Sequence, residues 1–184
     1  MELYEAIYKR RTIRGFTKGT TEEILRKIVH AATRAMSAGN RQHWEFIIVD
    51  DPKLISEIGE HKYQQNLVSD YPREDTERQK TAYQNCSVVA VCHKEGRGGL
   101  ISAWMAVQNM GLAATADGLG VVASTFWGEH QKQVAELLGV PQGYELTTVM
   151  LVGVQEGYSQ GEFPDVERRP DFSWLYRNKF GTAA

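Results

Sequence analysis

The longest apolar stretch of the chain runs from Ile101 to Ala116, and its polar side chains are Ser102, Gln108, Asn109 and Thr115. A helix over this stretch would be apolar around almost its whole circumference, which is typical of a helix in the middle of a fold. Its length of about 16 residues is below the roughly 20 apolar residues that a bilayer span requires. We therefore predict a buried central helix that ends in a left-handed cap at Gly118 and Gly120.

Hydrophobic periodicity and β-rich runs predict further helices and strands on both sides of this central helix. The predicted helices are Glu2 to Lys9, Thr20 to Met36, Pro52 to Glu60 and Glu129 to Leu138. The predicted strands are Glu45 to Val49, Ser87 to Cys92, Val121 to Trp127 and Leu146 to Val154. Because helices and strands are mixed along the chain, the pattern indicates a layered α+β or α/β fold.

Local signals orient or cap three of these helices. In the first helix, Leu3 and Ile7 have the spacing of inward-facing residues. Thr20 and Glu23 match the capping box of the second helix. Asp51 is expected to cap the third helix, which begins with a proline, as the first helical turn allows.

Two segments lack a clear periodic pattern. His61 to Asn85 is rich in charged and amide side chains, so we expect exposed helical pieces or a mobile lid there. The tail from Gln155 to Ala184 is rich in Gly, Pro and charge, yet it contains aromatic residues that need a surface to bury against. These aromatic residues are Phe163, Phe172, Trp174, Tyr176 and Phe180. The whole chain, residues 1–184, has the length of a single domain.

Composition and charge exclude several classes of protein. The net charge of -2 argues against general nucleic-acid binding. Cys86 and Cys92 form no C-x-x-C pair and the N-terminus does not resemble a signal peptide, so we expect reduced thiols in a cytoplasmic protein. The 5 histidines are scattered and lack the spacing of metal ligands, so structural roles are favoured and no metal is predicted.

Two glycine-rich segments have the letters of nucleotide-binding motifs but the wrong context. In the segment from Gly96 to Ile101, isoleucine occupies the last glycine position of G-x-G-x-x-G. The segment from Gly118 to Ala123 leaves a predicted helix and enters a strand, which is the reverse of the required order. The sequence also contains neither a P-loop nor the G-x-S-x-G motif of serine hydrolases.

The polar residues that remain allow either binding or ordinary structural roles. Arg10, Arg11 and Arg14 lie within five residues, which fits an anion site or a solvated basic loop. Asn40 and Gln42 precede a predicted strand and fit either turn residues or ligands.

Four short motifs between about residues 8 and 170 carry a resemblance. They are R-R-[ST]-x-R at Arg10 to Arg14, S-x-x-N-x-Q-x-W at Ser37 to Trp44, A-x-Q-N-x-x-L-A-A-x-x-x-G-L-G at Ala106 to Gly120, and R-R-P at Arg168 to Pro170. In this order and spacing, the chain resembles the nitroreductase family of flavin mononucleotide (FMN) oxidoreductases. His43 and Val166 depart from the family pattern, which usually has proline and a basic residue at these positions.

The resemblance implies an α+β fold of three layers, in which helices flank a central mixed or antiparallel sheet, and an intertwined homodimer with FMN at the subunit interface. Residues 155–184 would form an arm that packs on the partner subunit. The implied cofactor-binding residues are Arg10, Arg11, Thr12, Arg14, Ser37, Ala38, Asn40, Gln42, Trp127, Gly128, Arg168 and Arg169. Ser37, Ala38 and Asn40 would reach over from the other subunit, and the backbone at Trp127 and Gly128 would face the flavin.

The implied activity is an oxidoreductase that passes a hydride from NADH or NADPH through flavin to a small acceptor, such as a nitro compound or a quinone, by a ping-pong mechanism. No protein nucleophile is required, because the flavin carries the chemistry and the protein supplies binding and electrostatics. Partners other than a second copy and these small molecules are not implied, neither nucleic acid nor membrane. The alternative is a flavin-binding carrier or redox sensor with little turnover.

Overall fold

An antiparallel sheet with helices on both faces forms the core of the fold. The computed structural model describes residues 1–69, 71–159, 161–164, 166–170 and 173–182. The helices are α1 (Leu3–Lys9), α2 (Glu22–Ala32), α3 (Pro52–Leu67), α4 (Arg73–Gln84), α5 (Arg97–Ala116) and α6 (Gly128–Leu137). The strands are β1 (Phe16–Lys18), β2 (Trp44–Val49), β3 (Ser87–Lys94), β4 (Gly120–Ser124) and β5 (Tyr144–Gln155).

The longest strand, β5, organises the sheet. It pairs with β3 over Tyr144 to Val152 and with β4 over Val149 to Gly153, so β3 and β4 lie on opposite edges of it. The strand β2 pairs with the outer edge of β3, and β1 pairs with the last residues of β5. Every strand pair is antiparallel. As a result, β2 and β4 are separated by the β3–β5 pair.

Both faces of the sheet are covered, which explains the continuous apolar runs in β3 and β5. Val88 and Ala90 of β3 belong to a core cluster that includes Ile58, Tyr83 and Val134 from α3, α4 and α6. The alternate β3 residues, Val89 and Val91, belong to a second cluster with residues of α2 and α5. The predicted α+β fold of three layers is thus confirmed.

The central helix α5 is buried on one face only. Its buried apolar residues are Ala103, Ala106, Val107, Met110 and Ala114. The opposite face exposes Leu100, Ile101, Trp104 and Met105 by 37% to 46%. A helix that packs on one sheet can bury only the side that faces it. The prediction of a helix buried on all sides is therefore wrong for a single copy of the chain.

The cap at the end of α5 was predicted correctly at one of its two glycines. Gly118 has a φ of 75°, and the Leu119 N–H donates to the Ala114 carbonyl at 2.8 Å, which is the Schellman arrangement. Gly120 instead belongs to β4, where an added Cβ would lie 3.0 Å from the side chain of Ile13. A larger residue at Gly120 would be crowded, because the segment that contains Ile13 passes close to β4 at this point.

Several predicted boundaries move for identifiable reasons. Thr21, not Thr20, caps α2, because the Thr21 hydroxyl accepts from the Ile24 N–H at 3.3 Å, whereas the Thr20 backbone lies before the helix and donates to the Ser87 hydroxyl at 2.9 Å. The strand predicted as Val121 to Trp127 ends at Ser124, because the Thr125 carbonyl accepts hydrogen bonds from α3 rather than from β5. The predicted helix that begins with Pro52 extends to Leu67, well beyond Glu60.

The orientation predicted for the first helix is wrong in the isolated chain. Leu3 and Ile7 are 63% and 43% exposed, whereas Ala6 is buried. The segment predicted as exposed pieces or a lid forms the end of α3 and the whole of α4, and it buries several polar residues. None of the helices within the described residues is long and apolar enough to cross a membrane. Of the tail aromatics, Phe172 lies outside the described residues.

Two adjacent glycines at the start of α5 provide a matched test of this packing. An added Cβ at Gly99 would overlap the Lys94 carbonyl oxygen, whereas one at Gly98 would meet nothing within 4 Å. We expect Gly99→Ala to lower the free energy of unfolding by about 1–3 kcal/mol through overpacking. The control, Gly98→Ala, should leave stability unchanged or raise it by up to about 1 kcal/mol. Chemical denaturation measures both, and equal effects of the two changes would contradict this packing.

Candidate functional site

The basic segment from Arg10 to Arg14 lies against the start of β4. The Ile13 N–H donates to the Val121 carbonyl at 3.0 Å, and Thr12 forms an isolated bridge with the same residue. Ile13 is 6% exposed and packs against Gly120. This anchor fixes the backbone between Arg10 and Arg14 beside the strand.

Arg10 lies close to two other cations. Burial lowers the pKa of Arg10, and the nearby positive charges of Arg168 and Arg11 lower it further. Arg11 turns back toward α1, where its Nη1 donates to the Arg10 carbonyl at 2.9 Å and to the Tyr8 carbonyl. A basic side chain at that helix end is favourable because the carbonyls there lack helical partners. Arg10 and Arg168 are thus brought together from opposite ends of the chain.

Arg14 and Lys62 form a second cationic group. The Nε of Arg14 is buried and has no hydrogen-bond partner among the described residues. Lys62 is 6% exposed, and its Nζ donates to the Thr125 carbonyl at 2.8 Å. Burial, and then the charge of Arg14, lowers the pKa of Lys62 to about 8. Partly desolvated cations of this kind are typical of sites that receive a negative charge.

Lys62 and Gln65 were not predicted from the sequence as site residues. Together with Ile58 they have the 4- and 3-residue spacing of one helix face, and all three are buried in α3. A helical period that places Lys and Gln on the same face as Ile could have indicated a buried polar site. The signal was missed because two of the three residues are polar.

The segment from Thr125 to Gly128 joins β4 to α6 and is held by α3. Gln65 donates through Nε2 to the Thr125 carbonyl at 3.1 Å and accepts from the Trp127 N–H at 2.9 Å. Trp127 is 51% exposed, and the Lys62 Nζ lies 5.1 Å from the centre of its ring. Gly128 begins α6 with a φ of 60°, which favours glycine.

A cavity of about 220 Å³ lies between α5 and β4, next to the basic segment. Its lining residues are Arg10, Thr12, Trp104, Val107, Gln108, Gly111, Val121, Val122, Ala123 and Met150. Apolar walls with a few polar groups are typical of sites for small molecules. Thr12 and Gln108 supply hydrogen-bonding groups to this cavity, and Arg10 supplies the charge.

The loop from Ser37 to Gln42 has an unusual backbone. Gly39, Asn40 and Gln42 have φ values of 60°, 52° and 51°, and left-handed residues other than glycine are uncommon. The Gln42 N–H donates to the Ser37 hydroxyl at 3.1 Å, and the Gln42 amide donates to Asn40 Oδ1 at 3.2 Å. These internal hydrogen bonds preserve the strained shape, a combination often found at functional sites.

This loop and the basic segment lie at opposite edges of the sheet. Trp44, which follows the loop, is level with His93 and Glu145, whereas Val121 is level with Val152. Three strand spacings and about seven residues of strand separate the two positions, which corresponds to roughly 25 Å. Within one chain, the structure therefore does not bring Ser37, Ala38, Asn40 and Gln42 to the arginines.

Arg169 is exposed, and its carbonyl accepts from the Trp174 Nε1 at 2.9 Å. In the described part of the chain, no three His, Cys, Asp or Glu side chains are arranged to hold a metal ion.

The model of the Nitroreductase family matches residues 7–154, most of the chain. The chain therefore belongs to this family. A relative from Archaeoglobus fulgidus, provisionally named as an NADH dehydrogenase/NAD(P)H nitroreductase, is 28% identical over 191 residues, which cover 97% of this chain and 99% of the relative.

Solved structures with the same fold include two that contain FMN. An iodotyrosine deiodinase bound to FMN and 3-iodo-L-tyrosine has a TM-score of 0.78 at 24% identity, with 97% of this chain and 99% of the other covered. A nitroreductase with bound FMN from Desulfitobacterium hafniense has a TM-score of 0.72 at 23% identity, with 90% and 95% covered. These similarities establish the fold.

The low pKa of Lys62 predicts how its replacement changes stability. Its pKa of about 8 in the folded protein lies below the ordinary 10.5, so the charged side chain destabilises the fold at pH 7. We expect Lys62→Met to raise the free energy of unfolding at pH 7 by about 1–3 kcal/mol, since Gln65 still donates to the Thr125 carbonyl.

The gain should shrink as the pH rises from 8 to 10.5. Over this range the folded wild type loses the Lys62 proton while the unfolded chain still keeps it, so the wild type becomes more stable. Denaturation across this pH range measures the effect. Lys53→Met, which changes an exposed lysine of the same helix, is the control and should change stability little. A destabilised Lys62→Met protein at pH 7 would contradict the assignment.

Proposed function

We propose that the protein is an FMN-dependent oxidoreductase that passes a hydride from NADH or NADPH to a small acceptor, such as a nitro compound or a quinone. The observation that carries this proposal is a set of buried and half-buried cations whose identified charged neighbours are also cations. In addition to burial, the charges of Arg168 and Arg11 lower the pKa of Arg10. The charge of Arg14 lowers that of Lys62 in the same way. Such an arrangement is stabilised when an anionic ligand binds.

The two cationic groups suit the two ends of FMN. The guanidinium groups of Arg10 and Arg168 have the fork geometry that phosphate binds, and a phosphate between them would relieve their mutual repulsion. The buried Nε of Arg14, which has no partner in the part of the chain that the structure describes, would donate to a carbonyl or a ring nitrogen of the pyrimidine. Lys62 adds a second positive charge beside Trp127.

FMN would accept a hydride and pass it to the acceptor in a separate step, which makes a ping-pong sequence possible. The protein's own task is electrostatic. Arg14 and Lys62 would stabilise negative charge on the reduced cofactor, and burial strengthens this interaction because water screens it less. We include Lys62 among the proposed cofactor-binding residues, together with Arg10, Arg11, Thr12, Arg14, Ser37, Ala38, Asn40, Gln42, Trp127, Gly128, Arg168 and Arg169.

We further propose that the active form is a homodimer, with residues 1–184 as one domain of each subunit. The loop from Ser37 to Gln42 lies at the wrong edge of the sheet to reach the arginines of its own chain, so a second copy would have to supply it. Apolar side chains exposed on α1, α5 and the tail support the same idea, because monomers rarely expose so many. They are Leu3, Tyr4, Ile7, Tyr8, Leu100, Ile101, Trp104, Met105, Trp174, Leu175 and Phe180.

A cytoplasmic location fits the two cysteines. Cys86 and Cys92 are both free. Burial raises the pKa of Cys92 to about 11 and that of Cys86 to about 12, so neither thiol is readily ionised. Inert, reduced thiols are typical of proteins in a reducing compartment. We also propose that the segment from His61 to Asn85, at the end of α3 and in α4, moves as a lid over the acceptor.

Uptake of FMN and turnover test the proposal directly. The purified protein should bind FMN and oxidise NADH or NADPH when a nitroarene or a quinone is present.

Arg14→Ala should weaken FMN binding by about tenfold or more, as expected for a charge-assisted hydrogen bond. Arg26→Ala on α2 is the control, because Arg26 pairs with Glu22 on the surface.

The outcomes distinguish the functional classes. Flavin binding without acceptor-dependent turnover would indicate a carrier or redox sensor instead of an enzyme. A protein that takes up no FMN would contradict both. Equal FMN affinity of the wild type and Arg14→Ala would contradict the proposed role of Arg14 alone.

The dimer is tested by changing one exposed residue on each face of the sheet. We expect Ile101→Glu to convert a dimer into a monomer and to weaken FMN binding, because a charge would replace an apolar contact at the subunit interface. Leu67→Glu is the control, because Leu67 at the end of α3 is 45% exposed, close to the 46% of Ile101. Sedimentation velocity measures both. A wild-type monomer at micromolar concentration would overturn the dimer proposal.

A further inference from the structure

Gln65 is a fully buried amide whose two ends both bind the segment before α6. Its exposed fraction is 0%, its Nε2 donates to the Thr125 carbonyl at 3.1 Å, and its Oε1 accepts from the Trp127 N–H at 2.9 Å. Buried amides require partners, and Gln65 satisfies both of its functions with backbone groups of one short segment. It thereby holds this segment against α3.

The two hydrogen bonds of Gln65 are not equally replaceable. The Thr125 carbonyl has a second donor, the Lys62 Nζ at 2.8 Å. For the Trp127 N–H, Gln65 Oε1 is the acceptor that the structure provides. Loss of the Gln65 amide would therefore leave mainly one group unsatisfied, the Trp127 N–H, and an unpaired N–H away from water is costly.

The surroundings of this N–H favour an electron-rich ligand atom. Gly128 is the first residue of α6, so its N–H lacks a helical acceptor, and the helix has no side-chain cap. Lys62 adds positive charge beside Trp127, and Arg14 lies near Lys62. A ligand atom seated here would meet the open Gly128 N–H, whereas the Trp127 N–H already has an acceptor.

We propose that Gln65 is a positioning residue that competes with the bound flavin for the Trp127 N–H and so weakens flavin binding. This inference rests on the proposed FMN site. In the ligand-free protein, Gln65 keeps the N–H satisfied and the segment ordered. When the cofactor binds, a flavin acceptor atom would share the N–H with Gln65 Oε1, and the hydrogen bond to Gln65 would weaken.

Gln65→Met removes this competitor while keeping a side chain of similar length. The ligand-free variant is less stable than the wild type, because the Trp127 N–H is unpaired. The flavin then binds an N–H for which Gln65 no longer competes, so FMN should bind more tightly, by on the order of tenfold. Its visible absorption should also shift relative to the wild type, because the hydrogen bond to the flavin is no longer shared.

Gln79→Met is the matched control. Gln79 is 4% exposed, and its Oε1 accepts from Asn66 Nδ2 at 2.8 Å, within the α3–α4 pair. Its loss also breaks a buried amide hydrogen bond, but that bond lies outside the segment before α6. The control should lower stability without tightening FMN binding or shifting its absorption. Gln65→Glu, which keeps an acceptor for the Trp127 N–H, should likewise show no tightening.

FMN dissociation constants and absorption spectra of the four proteins decide the matter. Tighter binding and a shifted spectrum in Gln65→Met alone support the inference. Unchanged or weaker binding in Gln65→Met, with normal FMN binding by the wild type, overturns the inference and leaves the proposed function intact. A wild type that binds no FMN overturns both.

A measurement on the wild type covers the case in which Gln65→Met fails to fold. In nuclear magnetic resonance spectra, the Trp127 backbone amide and the Gln65 side-chain amide should both shift when FMN is added. A Gln65 side-chain signal that is unaffected by saturating FMN would overturn the proposed competition.

Discussion

Positive charge held partly out of water is the interaction on which the rest of the site depends. Arg10 and Lys62 each lose hydration on folding, and the nearby charges that act on them are cations, which lower the pKa of both further. Desolvation and repulsion both oppose folding, so hydrophobic packing elsewhere must offset them. The two core clusters on either face of β3 and β5 supply this packing. A site that is unfavourable in isolation becomes favourable when it receives an anion, which couples ligand binding to stability.

The topology of the sheet then determines which parts of the site one chain can complete. Because β5 pairs with β3 on one edge and with β4 on the other, the loop before β2 is held far from the basic segment beside β4. The helix α5 lies on the same side of the sheet as α2, and both belong to the second core cluster. The exposed face of α5 points away from that cluster. Burial of that face by a second copy would explain why a helix with an almost continuous apolar sequence leaves Ile101 and Trp104 exposed.

The sequence predicts those parts of the fold whose residues follow a regular hydrophobic pattern. The core face of α5, the strands β3 and β5, and the Gly118 cap all follow from local spacing and backbone preference. Leu3 and Ile7 were assigned to the core because periodicity identifies an apolar face but not the molecule that covers it. Lys62 and Gln65 were missed because they are polar residues on a buried face, and only the tertiary contact with Thr125 explains their burial.

The same tertiary contact shows why the site could not be read from motifs alone. Motif spacing indicated the basic segment and the turn at Trp127, but α3 decides how that turn is held. Lys62 and Gln65 lie three residues apart on α3 and donate to one carbonyl, that of Thr125. One carries a charge that folding disfavours, and the other occupies a backbone N–H that a ligand could use. A charge that folding disfavours lowers stability, and a competing acceptor lowers affinity, but the hydrogen bonds of both side chains hold the segment in place. If the proposed site is correct, α3 would contribute to binding chiefly by holding the segment from Thr125 to Gly128, through two polar side chains that hydrophobic patterning does not reveal.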